Sequence, residues 1–281
     1  MPYFPFHNRK LIIATKHGKE SVIGPNLELG LKVSIVPQEY FETDQFGTFT
    51  GEIPRLLSPT DALRAKCKLA HEISGHSLLV ATEGSFGPHP IIPFTAAHEE
   101  FMMLKDTENG NEIIARILTT ETNFKSATLQ NESELLHFSQ DIGFPSHGLI
   151  LKSESTQPNC IKGIWDEHLL INTYRELSAS SAKVVVETDM RAMFNPTRMR
   201  IIDSLCHELI KKTQQLCPEC TTPGYDIVNI ITGLPCEDCG APTQSIMTHQ
   251  KQCKICRYST EESFPTGKFT EKAMYCSFCN P

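Results

Sequence analysis

Residues 10–20 read KLIIATKHGKE, and this stretch passes from an apolar run through a polar loop to the start of a helical pattern. A short apolar run bounded by polar residues is typical of a buried strand. The helical pattern extends to about Leu29, and a second apolar run follows at residues 32–36. A strand, a helix and a second strand in succession are the unit from which α/β folds are built. The start of the chain therefore predicts an α/β domain.

The same alternation of strand and helix patterns continues to about residue 213. Ser58 and Pro59 indicate the start of a helix, because they supply a capping side chain and a proline at the first helical position. Asn109 and Gly110 lie between two alternating runs, which is the pattern of a tight hairpin. We therefore predict an α/β domain over residues 1–213, with a mixed central sheet flanked by helices. The predicted strands are residues 10–15, 32–36, 77–81, 101–107, 112–119, 147–152 and 183–187, and the predicted helices are residues 21–29, 58–73, 132–141, 165–178 and 196–213, the last capped by Asn195.

Residues 214–281 contain four Cys-x-x-Cys pairs, which hold eight of the eleven cysteines. Each pair directs two sulfur atoms to one side of a turn and so supplies half of a tetrahedral site. Eight thiolates make two closed sites without an open position for a catalytic water, so we predict two structural zinc ions in a small zinc-ribbon module. The pairs are Cys217/Cys220, Cys236/Cys239, Cys253/Cys256 and Cys276/Cys279.

The spacing of the four pairs leaves their grouping open. A sequential arrangement joins the first pair with the second and the third with the fourth, and this is the arrangement we favour. A nested arrangement joins the two inner pairs, and a cross-braced arrangement joins the first pair with the third. Disulfides are disfavoured because tightly spaced pairs are a metal-binding pattern. The remaining cysteines, Cys67, Cys160 and Cys206, are interpreted as small core residues.

The charge distribution argues against a nucleic-acid partner. The formal net charge is −7; residues 1–213 carry 21 Lys and Arg against 26 Asp and Glu, and residues 214–281 carry 5 against 7. Neither part has the basic excess that is typical of nucleic-acid binding. No apolar run approaches the roughly 20 residues of a membrane helix, and the first residues lack a signal-peptide pattern. We therefore expect a cytoplasmic protein without a membrane partner.

Polar side chains follow the predicted strands at the points where a ligand would bind. Lys19 comes after the first strand, and Glu83 follows the strand at residues 77–81. Glu187 and Asp189 lie at the end of the last strand. In open α/β sheets, ligands bind at the carboxyl ends of the strands. We therefore predict Lys19, Glu83 and Asp189 as candidate catalytic residues.

Cations and carboxylates in the same regions predict a phosphate site with a magnesium ion. Lys19, Arg191 and Arg198 are the candidate phosphate-binding residues, supported by the amino end of the helix that starts at Pro196. Mg²⁺ prefers one or two carboxylates together with substrate phosphates. The candidate magnesium ligands are Asp44, Glu52, Glu83 and Glu187. The competing interpretation is that these charges are solvated, and that Asp189 and Arg191 pair only with each other.

Several motifs resemble those of an uncharacterised bacterial family whose shared part is a domain of unknown function. They are DQFGTFTGEIPR at residues 44–55, EGSFGPHP at 83–90, ETDMRA at 187–192, NPTRM at 195–199 and the final CSFCNP at 276–281. This resemblance covers nearly the whole chain, and it implies no particular activity.

The first half of the chain also resembles the inosine/xanthosine triphosphate pyrophosphatases. ATKHGK at residues 14–19 is similar to their loop of the form Ala-Thr-Gly-Asn-x-Gly-Lys, although it is one residue shorter. ALRAKCKLA at 62–70 is similar to their Ala-x-x-Lys-Ala helix, and VATEG at 80–84 is similar to their strand that ends in an acid and glycine. The departures are a longer acidic loop and the absence of their Ser-His-Arg motif at Pro196-Thr197-Arg198.

The second resemblance implies a nucleoside-triphosphate-pyrophosphatase-like fold and a hydrolase. Lys19 would contact the triphosphate, and Glu83 with an acid from residues 42–52 would bind Mg²⁺. The products would be a nucleoside monophosphate and pyrophosphate, so the implied partner is a nucleotide or another phosphorylated small molecule. The alternative is a non-enzymatic protein that binds a ligand or a protein and carries a structural zinc-ribbon tail, because no complete catalytic motif is present.

Overall fold

The computed structural model describes residues 5–16, 18–37, 41, 56–153, 159–181 and 183–281. The chain divides into two compact units. The α/β unit comprises Phe6–Leu104 and Ile114–Leu209. The cysteine module comprises Ile210–Pro281 together with Lys105–Ile113, which is the tip of a hairpin. No helix of the described residues is long and apolar enough to cross a membrane.

The first half of the α/β unit is built on a five-stranded sheet with the order β2-β1-β3-β4-β5. β1 is parallel to both β2 and β3, and β4 and β5 continue the sheet as the predicted hairpin. The α/β class with a mixed sheet is therefore confirmed. The elements are β1 (Lys10–Ala14), α1 (Glu20–Leu31), β2 (Ser34–Ile35), α2 (Pro59–Ser74), β3 (Leu78–Pro88), β4 (Ala96–Asp106) and β5 (Asn111–Thr119).

The second half of the α/β unit forms a separate four-stranded antiparallel sheet with the order β6-β9-β7-β8. The sequence predicted two of its strands, β7 and β9, and assigned them to a single central sheet. The other two were missed because they are short and carry few large apolar residues. The elements are β6 (Ser126–Leu129), α3 (Glu132–Ile142), β7 (Leu149–Ser153), β8 (Cys160–Ile164), α4 (Glu167–Ser180), β9 (Val184–Thr188) and α5 (Pro196–Thr213).

The helix starts follow the capping residues in the sequence. The Ser58 hydroxyl accepts a hydrogen bond from the Asp61 N–H at 3.2 Å, and Pro59 occupies the first position of α2, as predicted. The Asn195 side-chain oxygen accepts from the Arg198 N–H at 3.0 Å at the start of α5. Each such cap satisfies an amide that would otherwise lack a partner, and it stabilises the helix by about 1 kcal/mol.

Each sheet packs helices over its own apolar cluster. Ile12, Leu63 and Leu79 are fully buried between the first sheet and α2, together with Cys67. Cys206 on α5 is also fully buried, and burial raises the pKa of its thiol to about 12. These two cysteines are core residues as predicted, whereas Cys160 is only partly buried. The cluster of the second sheet contains Leu129, Leu135, Phe138, Ile142, Leu149, Leu151, Ile164, Leu170, Tyr174, Leu177, Val184 and Val186.

The cysteine module contains a small antiparallel sheet with the order β10-β11-β12, formed by Asp226–Thr232, Ile246–Gln252 and Ser259–Ser263. The hairpin tip belongs to this module through specific contacts. The Asn111 side-chain amide donates to the Pro223 carbonyl at 2.9 Å, and the Lys254 ammonium donates to the Glu112 carbonyl at 2.8 Å. Gly224, at φ +87°, leaves no room for a side chain, because a Cβ there would lie 2.7 Å from Ile113.

Candidate metal centres and a buried charge cluster

The eight paired cysteines form two groups of four. The first cysteine group is Cys217, Cys220, Cys253 and Cys256, and the second cysteine group is Cys236, Cys239, Cys276 and Cys279. Within each group the four sulfur atoms lie within 4.8 Å of one another. Both groups could therefore hold a metal ion.

The distances between sulfur atoms match a tetrahedral metal site. In the first group, Cys217 Sγ lies 3.6 Å from Cys256 Sγ, and Cys220 Sγ lies 3.7 Å from Cys253 Sγ. The corresponding pairs of the second group are 3.8 Å and 3.7 Å apart. Four sulfurs at about 2.3 Å from a central zinc are separated by about 3.8 Å, whereas a disulfide bond is about 2.05 Å long. The spacing fits metal coordination and not disulfide bonding.

The grouping is cross-braced, so the favoured sequential arrangement is wrong. The small sheet supplies the physical reason. β10 runs from the first pair toward the second, and antiparallel β11 returns, so that Asp226 is opposite Gln252 and the third pair lies beside the first. A parallel bridge between Cys236 and Glu271 then brings the fourth pair to the second. Strand pairing, which the spacing does not reveal, decides the grouping.

The turns around the sulfurs are stabilised by their own backbone. Gly240 follows Cys239 at φ +74°, and Thr221 and Arg257 adopt the same left-handed conformation at φ +58° and +66° after their own pairs. Hydrogen bonding with Thr222 lowers the pKa of the Cys220 thiol to about 6. Hydrogen bonds from the Cys279 and Phe278 amides lower the pKa of Cys276 to about 7. The pKa values of Cys256 and Cys279, in the same two groups, are raised in turn to about 12. Thiols that share a site oppose one another's ionisation, and a bound metal ion would offset this opposition.

A second constellation lies in the α/β unit and is centred on Glu100 of β4, which is fully buried. Its Oε1 accepts from Lys19 Nζ at 3.1 Å and from Arg198 Nη2 at 3.0 Å. Its Oε2 accepts from Arg198 Nε at 3.1 Å and lies 2.8 Å from His98 Nε2. The carboxylate is therefore held in a bidentate pair with an arginine and contacts a lysine and a histidine. A buried charge is tolerated only when it is paired in this way.

Three different elements position the partners of Glu100. Lys19 precedes α1, and its ammonium also donates to the Thr82 hydroxyl at 2.7 Å. Arg198 lies in the first turn of α5, and its Nη1 donates to the Met190 carbonyl at 2.7 Å. Lys19 follows a parallel strand, and Thr82 is on the neighbouring one, so the cluster forms at the strand region where α/β sheets place their ligands.

Lys66 of α2 and Glu83 of β3 form an ion pair next to this centre. The Lys66 ammonium also donates to the Thr82 carbonyl at 3.0 Å. The side chains of Lys66 and Glu83 are 11% and 14% exposed, whereas those of Arg198 and Glu100 are 0% exposed. We call the set Lys19, Lys66, Glu83, Glu100 and Arg198 the charge cluster; its Lys66–Glu83 side is the side that solvent reaches.

The charge cluster has more cations than carboxylates. Lys19, Lys66 and Arg198 contribute three positive charges, and Glu83 and Glu100 contribute two negative charges. Burial lowers the pKa of Lys19 to about 8, against the attraction of Glu100. Burial also opposes ionisation of Glu100, but Arg198 and Lys19 outweigh it and hold its pKa well below the usual range. Such a site favours an anionic ligand over a cation.

Close packing fixes the geometry of the cluster. The Phe86 ring stacks on the His98 ring with 4.4 Å between centroids, and the Arg198 guanidinium lies 5.3 Å from the centre of Phe86. A Cβ added to Gly84 would lie 2.2 Å from Glu100 Oε2 and 2.6 Å from Arg198 Nη2. Position 84 therefore has to be glycine for the arginine and the glutamate to meet.

The structure brings together only part of the predicted site. Lys19, Glu83 and Arg198 are in the charge cluster. Asp189 instead makes a bidentate ion pair with Arg191, at 2.6 Å between Oδ2 and Nη2, and accepts from the Gly163 amide. Glu187 is not in the charge cluster either, because it pairs with Lys152 at 2.7 Å in the second sheet. Asp44 and Glu52 lie outside the described residues.

Sequence reasoning missed the centre of the cluster. The predicted strand began at Phe101, whereas β4 begins at Ala96 and includes His98 and Glu100. A signal was present, because a histidine and a glutamate at alternate positions place two polar side chains on one face of a strand. Lys66 lies in the helical pattern of residues 62–70, and that pattern does not indicate a role for it.

The sequence belongs to the family defined by a domain of unknown function, DUF6671, whose model matches residues 66–281. This match covers more than half of the chain and confirms that the chain carries a domain of unknown function, as the first resemblance implied. No curated protein matches the chain.

Proposed function

We propose that this protein is a cytoplasmic hydrolase of nucleotides or related phosphate esters that carries two structural zinc ions. In this proposal the two cysteine groups hold the zinc, and the charge cluster binds the phosphate groups. The observation that carries the enzymatic part is the convergence of Lys19, Glu83 and Arg198 around Glu100.

The zinc assignment is supported by the donor set. Four thiolates at tetrahedral spacing suit Zn²⁺, and an all-cysteine site leaves no position for a reacting water, which is typical of a structural role. The module has few buried apolar residues to hold it together: its buried cluster comprises Cys217, Tyr225 and Cys253. Metal coordination would supply the folding free energy that burial does not. Eight reduced thiols also favour a reducing compartment.

The charge cluster supports phosphate binding through its cationic excess. A phosphate that approaches from the Lys66–Glu83 side would meet Lys66 first and Lys19 behind it. Arg198 already donates hydrogen bonds to Glu100 and to the Met190 carbonyl. Its positive charge would therefore attract the phosphate without a direct contact, and both hydrogen bonds would remain. Preorganised cations of this kind stabilise charge that develops on a transferring phosphoryl group.

Glu83 would hold Mg²⁺ together with an acid such as Asp44 or Glu52. Bound Mg²⁺ would neutralise phosphate charge and polarise the phosphoryl group that water attacks. Glu83 would exchange Lys66 for the metal ion, and the released Lys66 ammonium would be free to contact a phosphate oxygen. Attack by water on a nucleoside triphosphate would then yield the monophosphate and pyrophosphate.

The test is an assay of pyrophosphate release from a panel of nucleoside triphosphates with Mg²⁺. We expect turnover of at least one nucleotide, and a loss of about a hundredfold or more in Glu83→Gln, as for the removal of other charge-stabilising groups. Glu99→Gln is the matched control, since Glu99 is next to Glu100 on β4 but pairs with Arg116 at the surface. Silence across the panel, or full activity in Glu83→Gln, would refute the enzymatic proposal.

The second candidate is a non-enzymatic protein that binds an anionic ligand at the same cluster. The observation that favours it is that Glu83 and Glu187 each already have a lysine partner, so neither is available to a metal ion without rearrangement. In that case nucleotides would raise the melting temperature of the protein without Mg²⁺ and would be recovered intact.

A further inference from the structure

The cysteine module exposes an unusual share of apolar side chains. In the described part of the chain, nine of the twenty exposed large hydrophobic residues lie on Asp226–Phe278. Four of them fall within ten residues around the second cysteine group: Phe269, Met274, Tyr275 and Phe278, which are 68%, 60%, 60% and 74% exposed. We call these four residues the apolar patch. Exposed apolar side chains concentrated in this way mark interaction surfaces.

The backbone around the apolar patch is ordered by its own contacts. The Asn280 side-chain amide donates to the Met274 carbonyl at 3.0 Å, and the Phe264 and Phe269 rings contact each other with centroids 4.9 Å apart. Phe278 is the residue before Cys279, so ligation of that sulfur would fix its position. The patch is thus presented on a preorganised turn, which reduces the entropy cost of binding a partner.

Acidic side chains adjoin the same cysteine group. Glu237 and Asp238 form the turn between Cys236 and Cys239 and are exposed. Within the ranges that the structure describes, neither carboxylate has an ion-pair partner. The Glu237 amide donates to the Glu271 carbonyl at 2.9 Å, which ties this turn to the segment that leads into the apolar patch. The segment of the apolar patch also carries two lysines: Lys268, which pairs with Glu271, and the exposed Lys272. A zinc ion with four thiolates adds a net charge of −2, so the surface is anionic overall if the zinc occupancy proposed above holds.

The first cysteine group carries a different set of exposed charges, with Glu219 in its first turn and cations around its second. Its second turn carries Lys254 and Ile255 between the cysteines and Arg257 after them, and all three are exposed. Ile255 occupies the same place before Cys256 that Phe278 occupies before Cys279. The two groups therefore share a scaffold but differ in the surface that they present, and aromatic residues with free carboxylates occur together at the second group.

We infer that the apolar patch, with Glu237 and Asp238, is a docking surface for an extended cationic and apolar segment of another protein. Arginine and lysine side chains are attracted to the faces of aromatic rings, here Tyr275 and Phe278. Glu237 and Asp238, which lie at the same cysteine group as these rings, provide charge complementarity to the same cations. The same negative charge repels the phosphates of a nucleic acid, which is why a protein segment is the occupant that fits.

The experiment uses the zinc-loaded full chain and two pools of fluorescent nine-residue peptides. One pool fixes Arg-Leu-Arg at the centre with random flanks, and the other fixes Glu-Leu-Glu. We expect saturable binding of the arginine pool by fluorescence anisotropy, and no binding of the glutamate pool. Phe278→Ser should weaken binding about tenfold or more, as for an aromatic hot spot, and Glu237→Gln with Asp238→Asn should weaken it severalfold and reduce its salt dependence.

Ile255→Ser is the matched control and should bind like the unmodified protein. Every variant is first shown to hold two zinc ions by elemental analysis, and Tyr275→Ser replaces Phe278→Ser if the latter loses metal. Failure of both pools, equal weakening by Ile255→Ser, or tighter binding of a single-stranded dT oligonucleotide would overturn the inference. Two zincs without peptide binding would refute this inference alone, whereas an absence of zinc would refute the proposed structural role of the cysteines.

Discussion

At the residue scale, the charge cluster contains an ion pair between Glu100 and Arg198 whose two side chains are fully buried. Removing one partner of such a pair leaves an uncompensated charge in the protein interior, and this typically costs 3–5 kcal/mol. Exposed ion pairs contribute about 0–1 kcal/mol. The difference between these two environments makes Arg198 and Arg200 a useful comparison, because both are on α5.

Arg198→Met should lower the free energy of unfolding by about 3–5 kcal/mol, because Glu100 loses its bidentate partner. Arg200→Met should lower it by about 1 kcal/mol or less, since Arg200 is 65% exposed and pairs with an exposed Glu121. Urea denaturation monitored by circular dichroism measures both. Similar losses of unfolding free energy in the two variants would contradict a larger contribution from the buried ion pair.

Gly84→Ala should destabilise the protein by about 1–3 kcal/mol or more, because the added Cβ would overlap Glu100 Oε2 and Arg198 Nη2. Gly87 lies on the same strand and has no heavy atom within 4 Å of the position of an added Cβ. Gly87→Ala is therefore the control and should be nearly neutral. The two variants are compared by their urea midpoints, and equal shifts would show that the close approach at Gly84 is not required.

Lys19 should make the stability of the protein increase with pH above about 8. Burial lowers the pKa of Lys19 to about 8 in the folded protein, from 10.5. Between these values the unfolded chain retains a proton that the folded chain has released, so the free energy of unfolding rises with pH. Glu100 adds no slope there because it is ionised throughout this range. The free energy of unfolding is measured for the unmodified protein and for Lys19→Met at about pH 8 and at about pH 10. The unmodified protein should gain stability relative to the variant between the two pH values, and the same difference at both would refute the lowered pKa.

At the element scale, two elements pass from one compact unit into the other. β4 carries Glu100 in the α/β unit and ends in the hairpin tip, which belongs to the cysteine module. α5 carries Arg198 near its start, and its final turn from Ile210 also belongs to the module. Lys212 in that turn forms an ion pair with Asp226 of β10. β4 and α5 are therefore each divided between the two units.

Removal of metal should consequently affect more than residues 214–281. A strong chelator should make this segment protease-sensitive, because its buried cluster is too small to hold the fold without metal. The hairpin tip, Lys105–Ile113, should become sensitive with it, since Asn111 and Glu112 lose their partners Pro223 and Lys254. Limited proteolysis with mass spectrometry identifies the cleavage sites. Unchanged protection of both segments after chelation would contradict metal-dependent folding, and most of the α/β unit should stay resistant as the internal control.

At the scale of the whole molecule, the cross-braced grouping of the cysteines makes a prediction that the other groupings do not. The protein purified without chelator should contain two zinc ions. Cys217→Ser combined with Cys256→Ser should retain one, because both residues belong to the first cysteine group. A sequential or nested grouping would place these two residues in different sites and would lose both ions. Cys217→Ser with Cys239→Ser, which removes one ligand from each group, is the matched comparison and should lose both; elemental analysis gives the count.

The sequence by itself determined the features that depend on local chemistry. Apolar runs and helical periods gave the α/β class, the capping residues Ser58 and Asn195 gave two helix starts, and the Asn109-Gly110 turn gave the hairpin. The Cys-x-x-Cys spacing identified the eight candidate metal ligands, because two sulfurs on one turn are a local property of the chain. The same local patterns carried the resemblance to the family that the domain match confirms.

Tertiary structure alone decided which distant residues meet. The second sheet formed because β6 and β7 both pair with β9, which follows α4 in the sequence, and the cysteine pairs were grouped by the register of β10 against β11. Glu100 is 81 positions from Lys19 and 98 positions from Arg198 in the sequence. The contact between Glu100 and Arg198 also depends on Gly84, because an added Cβ there would overlap both side chains. Such contacts depend on strand pairing and on the packing of buried volume, which are properties of the folded chain and not of any one segment.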